Sequence, residues 1–321
     1  MTTATGTVSI LIPVYNRAHC IRQTLSSALE QSWRDIEVVV VDNASTDGTW
    51  ELIQATAAQD SRVRVFRNDS NIGPVRNWLR CVREGTGTYG KILWSDDLLH
   101  PEFLAQALPA LADPEVGFVF SPALVFSGDS PLEGAPLYRS TPPGVRPVDE
   151  FIEGILLGGD YPVSPGCALF RLADMRDCLL EQVPNRVGSD FSMHAIGNDV
   201  LLFLLVAARY KRFVRLDAPL AYFREHAGSI TISAARGKIP LHYDIAKAWF
   251  VSQHPQPAAL SARFNALLLL DRILYRGAAY KLRTVADFYP VSGRYSVDVF
   301  WLLRRMADRM VHLIRRIVRK I

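Results

Sequence analysis

The sequence predicts an α/β fold: a mostly parallel sheet flanked by helices, followed by a C-terminal helical extension. Three observations predict it. Short β-branched runs alternate with helical spacing through the first 125 residues, as βαβ units require. Polar residues gather where those runs end, at Asn16, Asp42 and Asp96-Asp97. After Gly228 the strand signal fades and the remainder reads as helix.

The elements follow in order. Val8–Pro13 is an apolar run stopped by proline, suited to a buried parallel strand. Cys20–Gln31 places Ile21, Leu25, Ala28 and Leu29 on one helical face. Ile36–Val41 is a second strand, stopped by Asp42-Asn43. Ser45-Thr46-Asp47-Gly48 is turn and N-cap chemistry ahead of a helix over Thr49–Ala58. Arg62–Phe66 reads as strand, Gly73-Pro74 opens a helix, and Lys91–Trp94 reads as a strand running directly into Ser95-Asp96-Asp97. Glu115–Phe126 is apolar, and Ser127–Pro147, rich in Gly, Pro and Ser, reads as a long loop over the site. Helices are expected over Val148–Leu157 and Asp199–Arg209. Strands are expected over Gly166–Arg171, Arg212–Leu216 and Leu220–Phe223.

Composition narrows the class. With 49% hydrophobic residues in 321, the chain has ample material for a packed core. Its four cysteines, Cys20, Cys81, Cys167 and Cys178, show no zinc-ligand spacing and read as reduced core thiols. No signal peptide or membrane-spanning run is evident, so a cytoplasmic protein is expected. The net charge of +4 is concentrated at the end: seven Arg/Lys against two Asp over Val297–Ile321 leave the rest near neutral. A nucleic-acid binder would be basic over a whole face, so none is expected as partner.

Asp96-Asp97 carries the chemistry. In open α/β sheets ligands bind at the C-terminal strand edge. Two carboxylates there suit a hard cation, Mn²⁺ or Mg²⁺, of the kind that neutralises a nucleotide diphosphate. The pair also suits a plain strand-to-turn boundary, and that reading stays open on these residues alone.

The surrounding segments resemble glycosyltransferase family 2. Val8-Ser9-Ile10-Leu11-Ile12-Pro13-Val14-Tyr15-Asn16-Arg17 is similar to the opening strand of that family. Val38–Asp42 with Asn43–Thr49 is similar to its second strand and acidic turn. Asn71–Asn77 resembles its third segment, and Leu93-Trp94-Ser95-Asp96-Asp97 stands where its Asp-x-Asp motif does, with Ser95 departing from the pattern. The resemblance implies a Rossmann-like GT-A fold and an inverting, nucleotide-sugar-dependent transferase. It places Pro13, Tyr15, Asn16 and Asp42 around base and ribose, Asn71 and Arg76 near the nucleotide or diphosphate, Asp96 on the ribose or donor sugar, and Asp97 on the metal. Readings without chemistry stand beside these: Asp42 as a cap, Tyr15 as a half-buried aromatic, Arg76 as a solvated helix residue.

Inverting transfer needs a base for the acceptor hydroxyl. Asp199, in Gly197-Asn198-Asp199-Val200-Leu201-Leu202, is similar to the second position of the family's Glu-Asp-x-x-Leu motif, with Asn198 in place of Glu. It also suits a simple N-cap; Asp190 is the second choice. Ala221–Thr231 resembles the family's Tyr-x-x-His-x-x-Ser segment, which makes His226 a second metal ligand or a phosphate contact. Tyr161–Gly166 and the loop Ser127–Pro147 are expected as acceptor walls.

The organisation expected is a GT-A domain over 1–230, its 1–125 half binding the nucleotide-sugar and its 126–230 half the acceptor, then a helical region over 231–321. Residues 297–321 read as a basic amphipathic helix, suited to the inner face of the cell membrane, to packing, or to a homo-oligomer contact. The donor classes expected are UDP-, GDP- or dTDP-sugars, and the acceptor a saccharide, lipid-linked if the tail docks on lipid. Alternatives are a nucleotide-sugar-binding membrane-associated protein with a degenerate site, or a nucleotidyltransferase, which would favour a Gly-rich loop that Val14–Cys20 lacks.

Overall fold

The computed structural model of the chain describes residues 6–128, 130–226, 235 and 237–307. Its centre is an eight-stranded sheet. β1 (Val8–Val14) and β2 (Ile36–Asp42) are buried along their whole lengths, which explains why their sequences are mostly apolar and not alternating, the buried Ser9 hydroxyl and Glu37 carboxylate being bonded to each other. β3 (Val63–Arg67) lies at the edge and turns its later residues toward solvent. With β4 (Tyr89–Ile92), β6 (Val116–Phe120), β9 (Gly144–Pro147), β10 (Ala168–Arg171) and β11 (Arg212–Arg215) the order is β3-β2-β1-β4-β10-β6-β11-β9.

The sheet is mixed. β1 pairs in parallel with β2 and β4, and β6 with β11, but β10 runs antiparallel between β4 and β6, and β9 antiparallel to β11. A second sheet, β5-β12-β7-β8, is built from β5 (Leu98–Leu99), β7 (Ala123–Phe126), β8 (Ala135–Leu137) and β12 (Ala221–Arg224).

Helices cover the large sheet. α1 (Ile21–Leu29) and α2 (Thr49–Gln59) follow β1 and β2, and α3 (Pro74–Glu84) follows β3. Pro74 stands in the first turn of α3, where its missing N–H costs nothing, and Gly73 enters at φ +86°, open to glycine without strain. Its apolar stripe, Val75, Trp78, Cys81 and Val82, is buried. Further along, α5 (Val148–Leu156) and α8 (Asn198–Ala207) close the second half around an aromatic nest. There Phe118 lies 4.9 Å from Phe151, 5.2 Å from Phe203 and 5.6 Å from Phe213, centroid to centroid.

Two expectations are corrected. Ser127–Pro147 is not a plain loop, because it contributes β8 and β9, paired to β7 and β11; its Gly and Pro residues obscured the short strands. β4 ends at Ile92, so Leu93–Ser95 leave the ladder before the two aspartates. The mostly parallel sheet expected is present, with β9 and β10 as its antiparallel strands.

Contacts divide the chain into two units, Met1–Val183 with Asp190–Ser233, and Pro184–Ser189 with Ala234–Ile321. The second unit contains the helices Lys238–Gln253 and Ala258–Leu274 and a short turn over Val285–Phe288, held by a Thr284–Asp287 capping box. Residues 299–307 are helical; the rest of the basic tail lies outside the described residues.

Candidate active site

The loops that leave β1, β2 and β4 are bonded to one another. Asn16 adopts φ +51°, a left-handed conformation that asparagine tolerates. From there its N–H donates to Ser45 Oγ at 2.9 Å, and its Oδ1 accepts from the Thr46 N–H at 2.9 Å. Asp47 reaches back to accept from the Ala18 N–H at 3.1 Å while it accepts from the Thr49 N–H at the start of α2, also at 3.1 Å. Asp42, fully buried at the end of β2, accepts from the Ser45 N–H and pairs with Arg67 at 3.2 Å. Tyr15 is exposed beside this loop, and Pro13 is buried in β1.

Behind them lies an amide network that sequence reasoning missed. Asn43 Nδ2 donates to Asn71 Oδ1 at 2.9 Å, and Asn68 Nδ2 donates to both Asn43 Oδ1 and Asn77 Oδ1 at 2.9 Å. Asn71 therefore orders the loop before α3. Arg76 Nε pairs with Glu181 Oε1 at 2.8 Å, and the residue lines a groove with Leu79, Arg83 and Arg176.

The two aspartates divide their work. The Asp97 carboxylate is 7% exposed and its Oδ1 accepts from the Arg224 N–H at 2.8 Å, fastening the turn to β12. Burial, and then the Asp96 charge, push its carboxyl well above the usual carboxylate range. Asp96 faces the other way. Its Oδ2 accepts from Arg17 Nε at 3.2 Å and meets His226 Nε2 at 2.9 Å, while no hydrogen bond engages Oδ1 among the described residues. His19 lies edge-on to His226, 6.2 Å between ring centroids. The family resemblance implies the metal on Asp97 and the donor on Asp96; the geometry brings Asp96, not Asp97, together with His226. The two side chains leave a turn, closed by the Asp97 N–H on the Trp94 carbonyl, in different directions, and sequence alone does not say which faces the cleft.

Beneath the turn, Lys91 is fully buried, its ammonium donating to the carbonyls of Ile92, at 2.8 Å, and Gly166. Burial pushes this amine down to about 8. Gly166 lies so close to Trp94 that an added Cβ would stand 3.0 Å from its ring, and the Trp94 Nε1–H donates to Ser164 Oγ at 2.9 Å. Pro165–Cys167 packs against β4, β12 and α8, which links the Asp96 turn to the start of α8.

Asp199 stands at that start, 9% exposed, its Oδ1 accepting from the Gly197 N–H at 3.0 Å and the Val200 N–H at 2.9 Å. Asn198, in the place of the family's glutamate, is buried and donates to the Leu180 and Glu181 carbonyls. Asp190 caps the short helix Phe191–His194 through the Ser192 N–H and also accepts from Gln182. Hydrogen bonds from Ser192 and then Gln182 hold its carboxyl below the usual range, which suits a cap better than a base.

A divalent cation is compatible with one part of this arrangement. No group of three or more His, Cys, Asp or Glu side chains is poised to hold a metal among the described residues. Asp96 with its open Oδ1, beside His226, nevertheless matches the economy of Mg²⁺-type sites, which use one or two protein ligands and take the rest from phosphates and water.

Three comparisons bear on this site. The profile described as Glycosyl transferase family 2 matches residues 9–177, more than half of the chain. An uncharacterised protein of Mycobacterium tuberculosis is 35% identical over 122 residues, 38% of this chain and 38% of its own length. The abequosyltransferase RfbV of Salmonella typhimurium is 40% identical over 101 residues, 30% of each chain. The chain thus spans well under half the length of these relatives. The crystal structure of S. aureus TarS 1-349 in complex with UDP-GlcNAc superposes with a TM-score of 0.63 at 18% identity, covering 86% of this chain and 76% of that one, and so shares its fold.

Proposed function

The chain belongs to glycosyl transferase family 2, and on that premise we propose that it moves a sugar, with inversion, from a nucleotide-diphosphate sugar to a saccharide acceptor in surface polysaccharide or glycan biosynthesis. One observation carries the reading: a single carboxylate, Asp96, shared by Arg17 and His226 where the strand-end loops meet.

Asp96 and His226 would hold Mn²⁺ or Mg²⁺, with Asp97 positioning Asp96 by anchoring the turn to β12. When bound, the cation neutralises the diphosphate and stabilises its departure. Arg17 adds a fixed positive charge next to Asp96. Asn16, Tyr15 and Asp42 form the wall for base and ribose, with Asn71 bracing it from behind through Asn43. Asp199 takes the proton from the acceptor hydroxyl as its oxygen attacks the anomeric carbon. A rigid helix start fixes that carboxylate, and the neighbouring N–H groups orient it. Residues 1–125 serve as donor half and 126–230 as acceptor half, with UDP-, GDP- and dTDP-sugars the donor classes to screen.

Membrane-surface placement is part of the proposal. No helix of the described residues is long and apolar enough to cross a bilayer. The helical residues 299–307 do expose Val299, Phe300, Leu303 and Met306, which recur along one face, with Phe300 88% exposed. A lipid-linked saccharide acceptor would suit that position.

The test is donor hydrolysis across UDP-, GDP- and dTDP-sugars with and without Mn²⁺ or Mg²⁺. Cation-dependent turnover of at least one donor is expected; turnover of none, in the presence of either cation, contradicts the proposal.

A further inference from the structure

A cavity of about 410 Å³ opens in the first unit away from the aspartate turn, between the C-terminal end of β11 and the segment that follows β8. Arg215 ends β11, paired in register with Phe120 of β6 and Gly144 of β9. Its side chain is 5% exposed, yet its Nε meets no hydrogen-bond partner. Its one ion-pair partner among the described residues, Asp217, stands 3.6 Å away and is itself 91% exposed. A buried guanidinium normally has its donors matched, because leaving them unmatched is costly. Arg139 brings a second guanidinium to the same cavity, with no acceptor for it among the described residues.

The wall is held in place. Asp160 accepts from the N–H groups of Tyr138, Arg139 and Ser140 and from the Ser140 hydroxyl, all at 2.9–3.0 Å. Tyr138 sits at φ +60°, a strained conformation that these bonds over-determine. The remaining wall includes Pro122, Pro142, Pro143 and Pro219, flat apolar faces of the kind a pyranose ring packs against.

We propose that this cavity is a subsite for a carboxylate- or phosphate-bearing monosaccharide unit of the acceptor, its anionic group received by Arg215 and Arg139. Guanidinium forks match both planar carboxylates and phosphates. Two guanidinium side chains line the cavity against one lining carboxylate, the exposed Asp217, and the cavity's volume fits one sugar ring. The role as acceptor subsite rests on the transferase reading above; the binding of an anionic sugar does not.

Calorimetric titration of the full chain with glucuronate, glucose 6-phosphate, glucose and inorganic phosphate tests it. At least one of the two anionic sugars is expected to bind tenfold or more tighter than glucose, and tighter than phosphate alone. Which of the two wins separates a uronate from a phosphosugar. Arg139→Gln, on the exposed strap, should weaken that binding tenfold or more, while Arg34→Gln, a charge-matched surface change, should leave it intact. Arg215→Gln should do the same as Arg139→Gln if it folds. Equal binding of glucose, or an unchanged affinity in Arg139→Gln, overturns the proposal. A parallel nucleotide titration keeps the two readings apart. A chain that binds nucleotide but no anionic sugar loses this subsite alone, and one that binds anionic sugar but no nucleotide keeps it and loses the transferase reading.

Discussion

The loops proposed to bind the donor and the segments proposed to meet the acceptor are built on opposite plans. At the ends of β1, β2 and β4 several polar residues bond across to another loop: Asn16 to Ser45 and Thr46, Arg17 to Thr49 and Asp96, Asn43 to Asn71. In the second half the polar residues mostly serve their own neighbourhood: Asp190 caps its own helix, and Asp199 accepts from Gly197 and Val200. Cross-loop bonding preorganises a site that must recognise the same nucleotide moiety each time. Locally bonded segments can change with little cost to the fold, which is where acceptor choice would be expected to vary.

The comparison breaks first at Asp199. Asparagine there can still accept from Gly197 and Val200, so Asp199→Asn should fold and bind donor normally while turnover falls about 10²–10⁴-fold. Steady-state kinetics with a matched nucleotide titration checks this; retained turnover removes the base assignment.

Asp47→Ala cuts the tie between the first and second loops and should cost about 1–2 kcal/mol, read from denaturant melts, together with weaker nucleotide binding. Burial raises the Asp47 carboxyl, but hydrogen bonds from the Thr49 hydroxyl and from the Ala18 and Thr49 N–H groups outweigh it and hold it below the usual range. Its contribution is therefore complete above the unfolded value near ~3.9 and is lost as pH falls through the lower folded value. The wild-type melt should lose stability below about pH 4 more steeply than that of Asp47→Ala.

Asp160→Ala releases the Tyr138–Ser140 strap, which is more exposed, and should cost about 1 kcal/mol while sparing nucleotide affinity. Equal damage to nucleotide binding by the Asp47 and Asp160 variants would erase the contrast between the two regions. The smallest effect belongs to Arg76→Gln. Its partner Glu181 is exposed, so a change within about 0.5 kcal/mol and unaltered nucleotide affinity are expected.

The same contrast explains what was legible in the sequence. β1 and β2 are mostly apolar runs with polar stops, so their positions and the loops that carry Asn16, Asp42 and Asp96 could be read directly. β8 and β9 are three and four residues long among prolines and glycines, and the partner of β9, the strand β11, is distant in sequence, so no apolar pattern announced them. Lys91, Gly166 and Trp94 were missed for a related reason. Lysine in an apolar run gives no sign of whether it lies under a functional turn, and the closeness of Gly166 to Trp94 arises only when Pro165–Cys167 packs on β4. The exchange of roles proposed for Asp96 and Asp97 was illegible in principle, since it depends on which neighbour Arg224 fastens.

That exchange offers the most direct measurement. Calorimetric titration of the preferred nucleoside diphosphate, with and without Mn²⁺, should be run on wild type, Asp96→Asn and Asp97→Asn. Asparagine at position 97 can still accept the Arg224 N–H, so that variant should retain a cation-dependent gain in affinity close to wild type, whereas Asp96→Asn should lose tenfold or more of it, about 1.4 kcal/mol. The reverse outcome, with the gain surviving in Asp96→Asn and vanishing in Asp97→Asn, would contradict the assignment of Asp96 as the carboxylate that faces the cation.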